Sequence, residues 1–308
     1  MAWTDLSQII KAYRASDGPF ALATIVKSAG STYRHPGARM LIARDKRYFG
    51  RLSAGCVEEE ISERALGVIQ TGKPFIWSID LRSRFACDGS IDVLVERLMK
   101  PSSFLEGVIR MIDDREPVLV ITNYRLTDSA PGTRLTDDWG TEHDEEFLEE
   151  MQPPVRLIVF GDYSDAEAVS HVSNFLGWQV VFTLDADLLP VGDPRTACVV
   201  MSHHFGRDIV ALRRVLQANY GYVGLLGPRR RKNLLLSELM NEGFQLDNIS
   251  ALHSPAGLDI GSESPEEIAL AVVAEIQAAL MGRKGGPLRD RGEPIHKVRE
   301  PLICNEQR

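Results

Sequence analysis

The sequence predicts an α/β protein of two domains, the second a doubly wound parallel sheet. Three observations carry this. The chain has 308 residues, more than one ordinary core accommodates. Its hydrophobic pattern changes near residue 155, from an irregular mixture of strands and helices to apolar runs alternating with amphipathic segments. Those later runs, RLIVF (156–160), QVVFTL (179–184), ACVVMS (197–202) and YVGLL (222–226), are apolar almost throughout, as strands covered on both faces are.

The elements follow in order. MAWTDLSQIIKAYRASDG reads as an amphipathic helix, with Thr4 as N-cap and Gly18 beyond its end. FALATIVKS (20–28) is a strand. ARMLIAR (38–44) and RYFGRLS (47–53) flank the turn DK as a hairpin. Val57, Ile61, Ala65 and Val68 recur at helical spacing, and Gly72 stops that helix. PFIWSIDL and SIDVLVERL are strand-like, SFLEGVIRMIDDRE is helical and PVLVITNY (117–124) is extended. Residues 125–154 are polar, acidic and closed by two prolines, and are expected to form a linker with hairpin or helical character near its end. Beyond it, helical segments separate the four apolar runs. The last helix starts at Ser264, with Pro265 in its first turn and Glu267 completing a capping box. Residues 283–308 form a polar tail. The expected domains are therefore 1–124 and 155–282, the latter Rossmann-like.

Composition narrows the function. Hydrophobic residues make up 44% and charged residues 25%, ordinary values for a globular chain. The formal charge of −8 argues against nucleic acid as main partner. No run is long enough to span a bilayer, and the N-terminal helix lacks the apolar core of a signal peptide. The cysteines Cys56, Cys87, Cys198 and Cys304 are far apart and form no C-x-x-C pair, which suits a reducing, cytoplasmic compartment.

In the second domain, VFGDYSDAEAV (159–169) stands where a dinucleotide fingerprint would. Tyr163 replaces the middle glycine, which normally admits a pyrophosphate, so NAD(P) binding is doubtful. Asp185 suits a ribose hydroxyl, but a strand-end turn is the favoured reading. Arg229, Arg230 and Arg231 open a helix, where the macrodipole disfavours cations; beside free amides they would suit a phosphate. The plain alternative is solvation or ion pairing. His203 and His204 follow a strand at the carboxyl edge of the sheet, and His253 follows another; being adjacent, the first two make a poor metal pair.

The first domain holds the sharper feature. KSAGSTYRHPGARM (27–40) is a glycine- and hydroxyl-rich turn carrying Arg34, His35 and Arg39, a combination suited to an anion. Cys56 follows Gly55 directly and precedes the acidic helix start Glu58, Glu59 and Glu60. Helix amides would favour its thiolate, and Gly55 would permit a bulky group to approach. A buried, inert thiol is the alternative. Cys87 also precedes a glycine-containing turn.

Together GSTYRHPGARMLI, GRLSAGCVEEEI, CDGSIDVLVE, LIVFGDYSDAEAV, VVMSHHFGRDIVALRRVL, YVGLLGPRRRKNLL and HSPAGLDIGSESPEEIALAVVAEI resemble the XdhC/CoxI family, accessory factors of xanthine dehydrogenase and related molybdenum hydroxylases. The resemblance covers nearly the whole chain. It implies a chaperone without turnover chemistry of its own, which binds molybdenum cofactor (molybdopterin) as cargo, protects it, and promotes insertion of the sulfurated form into an apo molybdenum hydroxylase. A cysteine desulfurase supplies the sulfur. Cys56 matches the family cysteine implicated in cofactor binding and would be the molybdenum ligand, thiolate being a soft donor. Cys87 matches a second family cysteine, with Asp88 in place of the usual first glycine. Gly55, Arg34, Arg39, Arg229, Arg230 and His203, read from their own chemistry above, complete the expected cofactor-binding set. The subunit number stays open, a homodimer included. The rivals are an NAD(P)-dependent oxidoreductase of Rossmann type and a scaffold that recruits the hydroxylase without holding cofactor.

Overall fold

A computed structural model describes residues 3–55, 57–82, 88–127, 131–138, 144–244 and 252–292. They divide into two units between Pro153 and Pro154.

The first unit is built on an antiparallel sheet in the order β3-β2-β1-β5-β4, made of β1 (Phe20–Gly30), β2 (Arg39–Ile42), β3 (Tyr48–Gly50), β4 (Phe75–Asp80) and β5 (Gly89–Leu98). The expected hairpin is present, with Met40 opposite Gly50 and Ile42 opposite Tyr48. Strand β1 is covered on both faces, which explains its near-continuous apolar run. Ala21, Ala23 and Ile25 point to α2 (Glu58–Thr71), meeting Ile61, Ala65 and Val68. Phe20 and Leu22 point the other way, into a core with Leu6, Ile9 and Tyr13 of α1 (Trp3–Ala15) and Phe104, Leu105 and Val108 of α3 (Ser103–Asp114). Gly72 ends α2 in the left-handed conformation (φ 74°), its N–H donating to Val68 O.

Residues 125–154 correct the linker expectation. They supply β7 (Gly132–Thr136) and β8 (Glu146–Met151), which flank β6 (Val118–Asn123) in a second antiparallel sheet. Val120 and Met151 join the α1/α3 core. The half-buried Glu96 on β5 accepts from Thr133 N at 3.0 Å and Thr133 Oγ1 at 2.6 Å, tying β7 to the first sheet. The segment is polar because one face is wet and the other carries buried polar partners, a pattern that imitates a linker in sequence. The first unit therefore runs to Pro153, not to 124.

The second unit has a parallel sheet in the order β10-β9-β11-β12-β13, from β9 (Arg156–Phe160), β10 (Gln179–Thr183), β11 (Thr196–Val200), β12 (Tyr222–Leu225) and β13 (Leu252–His253). Helices cover both faces. Ile158, Phe160, Cys198 and Val200 meet α5 (Phe205–Val215) and α6 (Arg229–Asn241), whereas Leu157, Val159, Ala197 and Val199 meet α4 (Tyr163–Phe175) and α7 (Pro265–Leu280). The Ser264–Glu267 capping box forms as expected. The strand order reverses between β9 and β11, the switch point at which such sheets open a crevice. Of the polar tail, a short 3₁₀ turn at Leu288–Asp290 is described; residues 293–308 lie outside the described set. Among the described residues no helix is long and apolar enough to cross a membrane.

Candidate functional site

The antiparallel pairing of the first sheet dictates where its loops emerge. β1 ends at Gly30 beside the start of β5 at Gly89, and β2 begins at Arg39 opposite Thr24, six residues before the end of β1. β3 ends beside the start of β2, and β4 ends beside the start of β5. The connections 31–38, 51–57 and 81–88 thus leave from one end of the sheet. They are staggered along it: Gly50, which ends β3, is level with Ala23 of β1 through Met40, whereas Gly89, which opens β5, is level with Gly30. Three of the sequence motifs, far apart along the chain, thus leave the sheet in the same direction, two of them side by side at Gly30 and Gly89. Cys56 and Cys87 themselves lie outside the described residues; their described neighbours Gly55, Val57, Arg82 and Asp88 belong to these connections.

Two glycines bring two of the connections into backbone contact. Gly30 pairs with Gly89. Gly30 has φ +69°, and a Cβ there would sit 2.2 Å from Asp88 O; one on Gly89 would sit 2.6 Å from both Ala29 O and Ser31 O.

The 51–57 connection is organised by Glu58, a residue sequence reasoning grouped with its acidic neighbours. Glu58 is 1% exposed. Its carboxylate accepts from Leu52 N (3.1 Å), Ser53 N (2.7 Å), Ser53 Oγ (2.6 Å) and Val57 N (3.2 Å). Burial alone would raise its pKa; the Ser53 hydroxyl and the Ser53 and Val57 amides outweigh burial and hold it below the ordinary glutamate value. Val57 N is thus engaged by Glu58, one of the helix-start amides the sequence argument assigned to a thiolate. A signal was present: Glu58 falls on the buried stripe with Ile61, Ala65 and Val68, where a carboxylate must find donors. Gly55 has φ +107° with open space where a Cβ would stand, so backbone conformation, not crowding, favours glycine there.

Arg39 is a correction. Instead of facing an anion it is 0% exposed, with Nη1 donating to Glu149 Oε1 at 2.5 Å and Gly37 O at 3.0 Å, and with Phe104 beside its guanidinium. A Cβ on Gly37 would reach Glu149 Oε2 at 2.6 Å. The pair therefore clamps the base of the 31–38 connection from β8. Arg34 is partly exposed and pairs at 2.7 Å with Asp5 of α1. Burial raises the Asp5 pKa, with Arg34 and Arg51 opposing it. His35 is exposed at the same loop.

In the second unit, Arg229 and Arg230 are exposed in the first turn of α6, whose N-cap, Pro228, offers no side-chain acceptor. Arg231 is instead paired with the buried Asp208, which also accepts from Ser202 Oγ. His203, at φ +56°, is exposed after β11 at the same carboxyl edge. His204 caps α5, accepting from Arg207 N. His253 stacks on Tyr222 and meets Glu275 Oε1 at 3.2 Å, a structural engagement. Asp185 caps the 3₁₀ turn Ala186–Leu188, as the turn reading expected. A Cβ on Gly161 would meet Met201 Cγ at 2.9 Å, so packing accounts for that glycine. Cys198 is wholly buried, its thiol pKa pushed up to about 12 by burial.

An antiparallel domain with motif loops at one end, followed by a doubly wound Rossmann domain, defines the class of protein. The model of the XdhC and CoxI family matches residues 13–80, and that of the XdhC Rossmann domain matches 157–276. The chain belongs to the XdhC and CoxI family. It is similar to a probable xanthine dehydrogenase subunit of Bacillus subtilis, 29% identical over 310 residues, covering 83% of this chain and 91% of that one. It is also similar to the molybdenum cofactor insertion chaperone PaoD of Escherichia coli, 26% identical over 277 residues, covering 83% and 81% of the two chains. A crystal structure from Bacillus halodurans, described as a xanthine dehydrogenase, shares the fold with a TM-score of 0.73 at 24% identity, covering 91% of this chain and 97% of that one.

Proposed function

We propose that this protein is an accessory factor that carries molybdenum cofactor as cargo and promotes its insertion into a xanthine dehydrogenase-like hydroxylase. The departure of the three motif connections from the first sheet in one direction is the observation that carries the reading, with the likeness to PaoD in support. Cys56 offers molybdenum a soft thiolate. Gly55 leaves room beside it, Arg34 supplies positive charge at the neighbouring connection, and Cys87 borders the third. Arg229, Arg230 and the first-turn amides of α6 suit a cofactor phosphate, with His203 on the same edge. Arg39 is assigned to the scaffold. A cysteine desulfurase supplies sulfur to the cargo, and the protein works in the cytoplasm, with no turnover of its own.

Anaerobic purification with molybdenum and pterin quantification tests this. Wild-type protein should retain both, and Cys56→Ala should lose both while keeping its circular dichroism and melting temperature. Full retention by the variant would remove Cys56 from the mechanism. Absence of cofactor from wild-type protein co-expressed with the cofactor pathway would sink the cargo reading itself.

A further inference from the structure

At the end of the first sheet opposite the motif connections lies a cavity of about 590 Å³, within the size range of small-molecule sites. It is bounded by the C-terminal half of α1, the start of β1 and the turn between β2 and β3. Its floor is apolar, with Ala12 and Phe20 buried and Phe49 half-buried. Its rim is cationic. The Arg47 guanidinium is already engaged by Asp45 at 2.6 Å. Lys11 and Arg44 are exposed, and neither has an ion-pair partner among the described residues. Two uncompensated cations over an apolar floor, on a chain of formal charge −8, are a local inversion of the protein's overall charge.

We propose that this cavity binds a small amphiphilic organic anion: an apolar body of about two fused rings lying on Phe49, Ala43 and Ala15, and a carboxylate, sulfonate or phosphate held by Lys11 and Arg44. Apolar area supplies the bulk of the affinity, and the two cations select for an acidic group and orient it. The site is separate from the motif connections. None of its lining residues belongs to the connections 31–38, 51–57 or 81–88, and the Gly30–Gly89 contact lies at the other end of β1 from Phe20. The proposal stands whether or not the cargo reading holds.

The test compares two probes with the same body. 1-Anilinonaphthalene-8-sulfonate carries the anion; N-phenyl-1-naphthylamine lacks it. Titrated into the full chain, the sulfonate should bind saturably at one site. The Lys11→Gln/Arg44→Gln double variant should weaken it about tenfold, the combined effect of two solvent-exposed charge contacts, and leave the neutral probe unchanged. Ala15→Trp, at an exposed position on the rim, should block both probes by filling the cavity. The proposal is overturned if wild-type protein shows no saturable site, if the double variant binds the sulfonate as tightly as wild type, or if Ala15→Trp leaves binding intact.

Discussion

At the residue scale, the decisive side chain of the first unit is Glu58, whose carboxylate draws Leu52, Ser53 and Val57 around itself. Glu58→Gln keeps the volume but replaces an oxygen acceptor with a donor, stranding buried amides. We expect a loss of about 1–3 kcal/mol at pH 7, measured by urea unfolding. The pH dependence has a definite sign. Because the folded-state pKa is depressed, the carboxylate's contribution is fully present above the ordinary glutamate value of about 4.3. It is lost as pH falls through the lower folded value. The gap between wild type and variant should therefore be widest near neutrality and should close in acid; a gap constant with pH would contradict the assignment. The sequence placed Cys56 and Gly55 in one loop but left Glu58 among its neighbours, because a helix dipole accounts for three consecutive acids equally well. Arg39 misled for a related reason. An arginine in a glycine-rich turn reads as an anion site until its buried carboxylate partner, 110 residues away, is known.

At the scale of elements, the close approach of the 31–38 and 81–88 connections depends on two facing glycines. Gly89→Ala places a methyl against the carbonyls of Ala29 and Ser31, backbone atoms that cannot swing aside. We expect a cost of about 1–3 kcal/mol, read as a melting temperature lowered by about 2–4 °C per kcal/mol in a unit of this size. An unchanged melting temperature would show that the strand ends separate freely. The second antiparallel sheet was the element hardest to read. Its strands β7 and β8 are short and polar, and one binds Glu96 through Thr133, a partner that no local pattern discloses. The four parallel strands named from sequence were legible because burial on both faces leaves no room for alternation.

At the scale of the whole molecule, the second unit contains two complete apolar layers, one on each face of its sheet. Residues 154–292 alone should therefore give a cooperative thermal transition. A featureless melt would mean that this domain requires the rest of the chain. Titration of the full protein with NADH and NADPH addresses the oxidoreductase alternative. Packing against Met201 already accounts for Gly161, and no saturable fluorescence change is expected. Tight binding would reinstate the rival.

The sequence by itself determined the two-part α/β plan, the parallel strands, the helix caps at Gly72 and Ser264, and the family. The plan, the strands and the caps rest on periodicity and spacing within a few turns of chain, where backbone geometry and burial act directly; the family rests on the resemblance of seven motifs in order. Only the tertiary structure decided that β7 and β8 belong to a sheet, that Arg39 is a clamp, that Glu58 shapes its loop, and that three motif connections leave one sheet in the same direction. Those outcomes depend on which charges and donors the fold brings together. The energy of a buried polar group is set by its partner in space, and a one-dimensional pattern carries no record of that partner.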